Sequence, residues 1–179
     1  MIQAISHLLD DPIHADLGAA DLKALREIRL QMQTAEADIS LVRRLTQGRM
    51  DIVGHEVAER AERSDADAVD TSAVLFELPD ILADSPGASR SGRLSINEPG
   101  PVAHELISEL DALISANALA NISESSESDL NGFMQGLNGF EEKLSGGRKG
   151  LHERIDSIQR EIGTRYASGA ATTEDAFKS

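Results

Sequence analysis

Glu36, Ser40, Arg43, Gln47 and Asp51 follow one another at steps of four, three, four and four residues. Glu141, Ser145, Arg148, His152 and Asp156 repeat those steps, each 105 residues after its counterpart, which is a whole number of heptads. On an α-helix, at about 100° per residue, the offsets gather five side chains into an arc of roughly 80°. The types suit a polar, partly anionic guest. Arg presents a planar fork that grips guanine O6 and N7, or a phosphate, in bidentate fashion. Asp or Glu accepts from the guanine N1–H and N2–H₂ edge, and Ser, Gln or His serves phosphate, ribose or base edges without adding negative charge. A solvated flank held by i,i+4 pairing accounts for the charged members, but not for Ser and Gln at fixed places in the run.

Two helices must carry these rows. Leu25, Ile28, Met32, Ala35, Ile39, Val42 and Thr46 recur at steps of three and four, with Val53 resuming the phase after a polar exception at Arg49. Such a seam predicts one arm of a coiled coil over residues 21–63, about 65 Å long. Leu130, Leu137, Leu144, Leu151 and Ile158 stand seven apart, with Phe133 and Phe140 at the complementary position, before the pattern loosens at Gly147 and Arg154. Gly163 is the expected stop of this second arm. The two arms pack antiparallel as an α-hairpin; a parallel homodimeric coil is the less economical alternative, since each chain carries both partners. Antiparallel copies of one row make a pseudo-twofold site. A twofold ligand with guanines and phosphates answers it, and cyclic di-GMP meets that specification.

The expected fold class is all-α: a long antiparallel coiled-coil helical hairpin with a mostly irregular linker and short accessory helices. Residues 1–19 are expected as a flexible N-terminus and 20–64 as the first coiled-coil helix. Residues 65–100 form an acidic linker with a short helix at 73–82, its turns marked by Ser85-Pro86-Gly87 and Pro99-Gly100-Pro101. An accessory amphipathic helix over 101–122 carries Val102, Leu106, Leu110, Leu113 and Ile114 on one face and starts at Pro101. The second coiled-coil helix occupies 123–166, opened by a Ser-rich and acidic start signal, and 167–179 is a flexible tail. Residues 74–82 and 102–114 are the candidate partner contacts. Gly48, Gly146, Gly147 and Gly150 lie beside the rows, either to admit a flat ligand or second backbone, or merely to loosen the coil.

Composition narrows the function classes. The chain has 179 residues, with Lys+Arg 17 against Asp+Glu 31 and a net charge of −14. That balance repels phosphate backbones and excludes direct nucleic-acid binding, while suiting a partner with a basic face. There is no Cys, hence no disulfide, thiol catalysis or Cys-based zinc site. His7, His14, His55 and His104 are scattered, and no phosphate-cradling glycine loop or nucleophile–base pair is visible. No enzyme activity and no catalytic cofactor are expected. The acidic start lacks the marks of a secretory signal, and no apolar run approaches the roughly 20 residues of a membrane span; a soluble, cytoplasmic protein is expected.

The pattern Glu-x₃-Ser-x₂-Arg-x₃-Gln-x₃-Asp, borne twice on an antiparallel hairpin, resembles the RsiG family of actinobacterial anti-sigma factors armed by cyclic di-GMP. The first copy matches at all five places; the second departs at His152, where the family has Gln. His still donates and accepts, so altered contacts or pH sensitivity are expected at that corner. The resemblance implies that the loaded protein sequesters a sigma factor of the WhiG type, related to flagellar sigma factors, and represses sporulation-stage transcription. It implies an intercalated cyclic di-GMP dimer between the helices, with Arg43 and Arg148 on guanine and phosphate and Asp51 and Asp156 on guanine edges. Glu36, Ser40, Gln47, Glu141, Ser145 and His152 would complete the shell. A structural coiled-coil scaffold without small ligand, and a cyclic di-GMP receptor for a partner other than a sigma factor, are the alternatives.

Overall fold

In a computed structural model, residues 2–10, 16–66 and 99–169 are described. A 3₁₀ turn at Gln3–Ile5 runs into α1 (Ser6–Leu9), followed by α2 (Leu22–Ala66), α3 (Pro101–Leu113), α4 (Ala116–Ala120), a 3₁₀ turn at Ile122–Glu124 and α5 (Glu127–Ala167). There is no strand among the described residues. The fold is the all-α hairpin that the two seams predict. α2, of 45 residues, is roughly 68 Å long, and no proline interrupts it. α5 begins on a capping box: Ser126 Oγ accepts from the Asp129 amide at 3.1 Å, and the Asp129 carboxylate accepts from the Ser126 amide at 3.2 Å.

The two arms run antiparallel within one chain. Arg29 reaches Gln159, Arg43 reaches Glu141 and Ser145, and Glu36 accepts from Arg148, so rising numbers on α2 meet falling numbers on α5. The seam fills the interface. Leu25, Met32, Ile39, Val42 and Val53 from α2, and Leu137, Leu144, Leu151 and Ile158 from α5, are wholly buried. Thr46 joins them because its hydroxyl donates back to the Val42 carbonyl at 2.9 Å.

Arg49, the break in the seam, has a use that periodicity did not reveal. Its guanidinium donates to the Leu110 and Ile114 carbonyls, at 3.1 and 2.6 Å, where α3 ends. At the other end of α3, the buried Asp38 accepts from the Gly100 and Ala103 amides at 2.9 and 3.2 Å. α2 thus supplies an anion to the N-terminus of α3 and a cation to its C-terminus, matching the helix dipole at both ends. α3 therefore runs alongside α2 in the same direction and buries Ala103, Leu106 and Leu110 against the hairpin. Arg60 treats the next corner similarly, donating to the Ser123 and Ser125 carbonyls at 2.9 and 2.7 Å.

Several expectations need correction. Within residues 1–19, expected as a flexible N-terminus, Ile2, Ile5, Leu8 and Leu9 are instead buried in the core, because four aliphatic side chains in eight residues have an uncovered side of the hairpin to dry. Accessory helix 101–122 is three pieces, broken at Ile114, whose extended backbone (φ −153°, ψ 114°) ends α3. Gly163 does not stop α5; Ile162 and Tyr166 pack on the core and carry the helix on to Ala167, and Gly169, at φ 73°, takes the left-handed position beyond it. At Gly147 an added Cβ would lie 2.8 Å from Ile2 and 3.3 Å from Ile5, and at Gly150 it would touch Leu9. Those two glycines seat the N-terminal segment rather than a ligand. The short helix expected at 73–82, with most of the acidic linker and the end of the tail, lies outside the described residues.

Candidate functional site

The two rows meet along one flank of the α2–α5 seam. Arg43 Nε donates to Glu141 Oε1 at 2.7 Å and to Ser145 Oγ at 3.1 Å. Arg148 Nε donates to Glu36 Oε1 at 2.8 Å. Within each copy the serine steadies the glutamate: Ser40 Oγ donates to Glu36 Oε1 at 2.8 Å, and Ser145 Oγ to Glu141 Oε1 at 3.0 Å. Each arginine is therefore held by the glutamate of the other copy, which is the pseudo-twofold relation that antiparallel repeats impose. The row is half-open, with side-chain exposures of 34% for Arg43 and 40% for Arg148. At that exposure each ion pair contributes on the order of 1 kcal/mol or less.

The remaining members extend the row in opposite directions. Gln47 is half-buried and Asp51 exposed toward one end; His152 and Asp156 are exposed toward the other. From Asp51 to Asp156 the row runs for roughly 35 Å along the hairpin. Gln47, Asp51 and Asp156 make no side-chain hydrogen bond among the described residues, so the structure gathers the other seven into two separate clusters, Arg43 with Glu141 and Ser145, and Arg148 with Glu36, Ser40 and His152. His152 is loosely attached, with Nε2 3.4 Å from Glu36 Oε1.

The electrostatics follow this pairing. Burial raises the Glu36 carboxyl, but hydrogen bonds from Arg148 and Ser40, with the charges of His152 and Arg148, outweigh it and hold the group below the usual glutamate value. Glu141 is lowered chiefly by the Arg43 hydrogen bond, against a smaller burial effect, with Ser145 and the Arg43 charge assisting. Both carboxylates are thus fixed as anions and acceptors. Among the described residues no group of three or more His, Asp or Glu is disposed to hold a metal ion, and no helix is long and apolar enough to cross a membrane.

Residues 11–82 match the RsiG-like family. The RsiG-like segment contains α2 and all of the first row, Glu36 to Asp51. The second row on α5 lies beyond it, and its assignment rests on the repeated spacing and on the cross-helix pairs. No curated protein sequence matches the chain.

Sequence reasoning missed the residues that position the hairpin's attachments. Asp38 and Arg49 sit between members of the first row but on the opposite side of α2. Their signal was available: a charged residue at or beside a seam position demands a buried partner. The partner itself, the two ends of α3, is more than sixty residues away in the chain and could not be named.

Proposed function

We propose that this protein is an anti-sigma factor gated by cyclic di-GMP: ligand, as a dimer, occupies the row between α2 and α5, and the loaded hairpin sequesters a WhiG-type sigma factor to repress sporulation-stage transcription. The observation that carries this reading is that Arg43 and Arg148 lie on one flank of the hairpin in two matching cross-helix clusters, Arg43 with Glu141 and Ser145 and Arg148 with Glu36, offset by seven residues, or about 10 Å, along the helices. The planar forks suit guanine or phosphate. Asp51 and Asp156, exposed at the two ends, suit guanine N1–H and N2–H₂ edges. A chain of net charge −14 suits the basic surface that a sigma factor presents to DNA.

The cross-helix pairs also favour a second reading, a ligand-free scaffold in which the row only clamps two rods together. Calorimetric titration with cyclic di-GMP, with and without a candidate sigma factor, separates the two. Binding in the micromolar range or tighter supports the gated anti-sigma factor; no heat in either titration supports the scaffold. Arg43→Ala or Asp51→Ala is expected to abolish ligand-dependent sigma binding while leaving helix content by circular dichroism nearly unchanged. Loss of the fold in both would make the row structural.

A further inference from the structure

We propose that Glu36 and Glu141 are positioning residues that act across the hairpin, each presenting the arginine of the other copy to the ligand rather than contacting the ligand itself. The inference rests on the cyclic di-GMP reading of the row. In each half, one carboxylate oxygen is already engaged by two donors: Glu141 Oε1 by Arg43 Nε and Ser145 Oγ, and Glu36 Oε1 by Arg148 Nε and Ser40 Oγ. Both arginines are held through Nε, and neither terminal Nη pair makes a hydrogen bond among the described residues. A guanidinium tethered at Nε keeps its two Nη groups for a bidentate contact to guanine or phosphate. A free arginine surrenders much rotamer freedom when it binds; one anchored beforehand surrenders less, and affinity gains by that difference.

The arrangement also divides labour within each row. Glu and Ser form the inner bracket, Arg the gripping group, and Gln47 or His152 with Asp51 or Asp156 the outer contacts. The two brackets are not equal. Ser145 takes a second bond from Arg43 at 3.1 Å, whereas the Arg148 bracket has His152 Nε2 at 3.4 Å from the same Glu36 oxygen. Arg43 is thus tethered by two acceptors and Arg148 by one.

The pairing is crossed, and a double-mutant cycle on the full chain reads the crossing directly. Glu141→Gln is expected to weaken cyclic di-GMP binding on the order of tenfold, as loss of a charge-assisted hydrogen bond does. In an Arg43→Lys background, where the fork and its Nε are gone, the same change is expected to cost less than about twofold. In an Arg148→Lys background it is expected to keep its full effect. Without ligand, the Arg43 Nε–H resonance should move on Glu141→Gln and stay in place on Glu36→Gln. A wild-type chain that does not bind cyclic di-GMP overturns the ligand reading and the purpose assigned to these pairs with it. A wild-type chain that binds, with an equal Glu141→Gln loss in both backgrounds, overturns the positioning role alone. Should Glu141→Gln melt below the titration temperature, Ser145→Ala, which loosens the same carboxylate, enters the cycle in its place with the same crossed pattern expected.

Discussion

A buried carboxylate without partners is among the costliest groups a fold can hold, yet Asp38 is only 6% exposed. It is tolerated because both oxygens accept backbone amides at the start of α3. Asp38→Ala is therefore expected to destabilise the protein by ~1–3 kcal/mol, the range for lost caps and buried charge-assisted bonds, measured as a lower urea midpoint; an unchanged midpoint would remove Asp38 from the attachment of α3. The glutamates of the row yield a pH prediction. Glu36 and Glu141 have folded-state values below the ordinary one, so the unfolded chain binds protons first. Their stabilisation is complete above the ordinary glutamate range of about 4.3 and is lost as pH falls through the depressed values. Thermal melts between pH 6 and 3 should fall in that window, and Glu36→Gln with Glu141→Gln should flatten the slope.

At the scale of elements, adjacent glycines on α5 have opposite surroundings. An added Cβ at Gly146 meets nothing within 4 Å, whereas at Gly147 it lies 2.8 Å from Ile2. Gly146→Ala is expected to raise stability by ~1 kcal/mol through helix propensity alone. Gly147→Ala must displace the N-terminal turn and is expected to forfeit that gain or reverse it. Paired urea titrations check the difference; equal stabilisation at both sites would detach the N-terminal segment from α5. The long helices themselves were legible as periodicity, since a seam recurring at three and four residues has only one face to bury. The end of α5 was not, because Gly163 costs the helix less than burial of Ile162 and Tyr166 gains it.

For the whole molecule, the hairpin has two dissimilar sides. One flank carries the polar rows; elsewhere Asp38 and Arg49 hold α3, Arg60 holds the corner before α5, Arg165 donates to the Leu17 and Ala20 carbonyls ahead of α2 at 2.7 and 2.6 Å, and the N-terminal segment packs at Gly147 and Gly150. Deleting residues 1–10 removes the buried Ile2, Ile5, Leu8 and Leu9 and is expected to cost roughly 3 kcal/mol or more, read as a lower urea midpoint with the long-helix signal retained below it. An unaltered midpoint would make that segment an ornament. The sequence by itself determined the two rods and the matched rows, because helical period, heptad phase and residue type are properties of neighbours a few positions apart; their antiparallel pairing within one chain was the more economical of two arrangements until the cross-helix contacts decided it. Only the tertiary structure decided which glutamate holds which arginine, that Arg49 and Asp38 bracket a third helix, and that Gly147 seats Ile2. Those contacts join residues separated by about a hundred positions or by a long linker, and nothing in local spacing records how distant side chains share charge and space once the chain has closed.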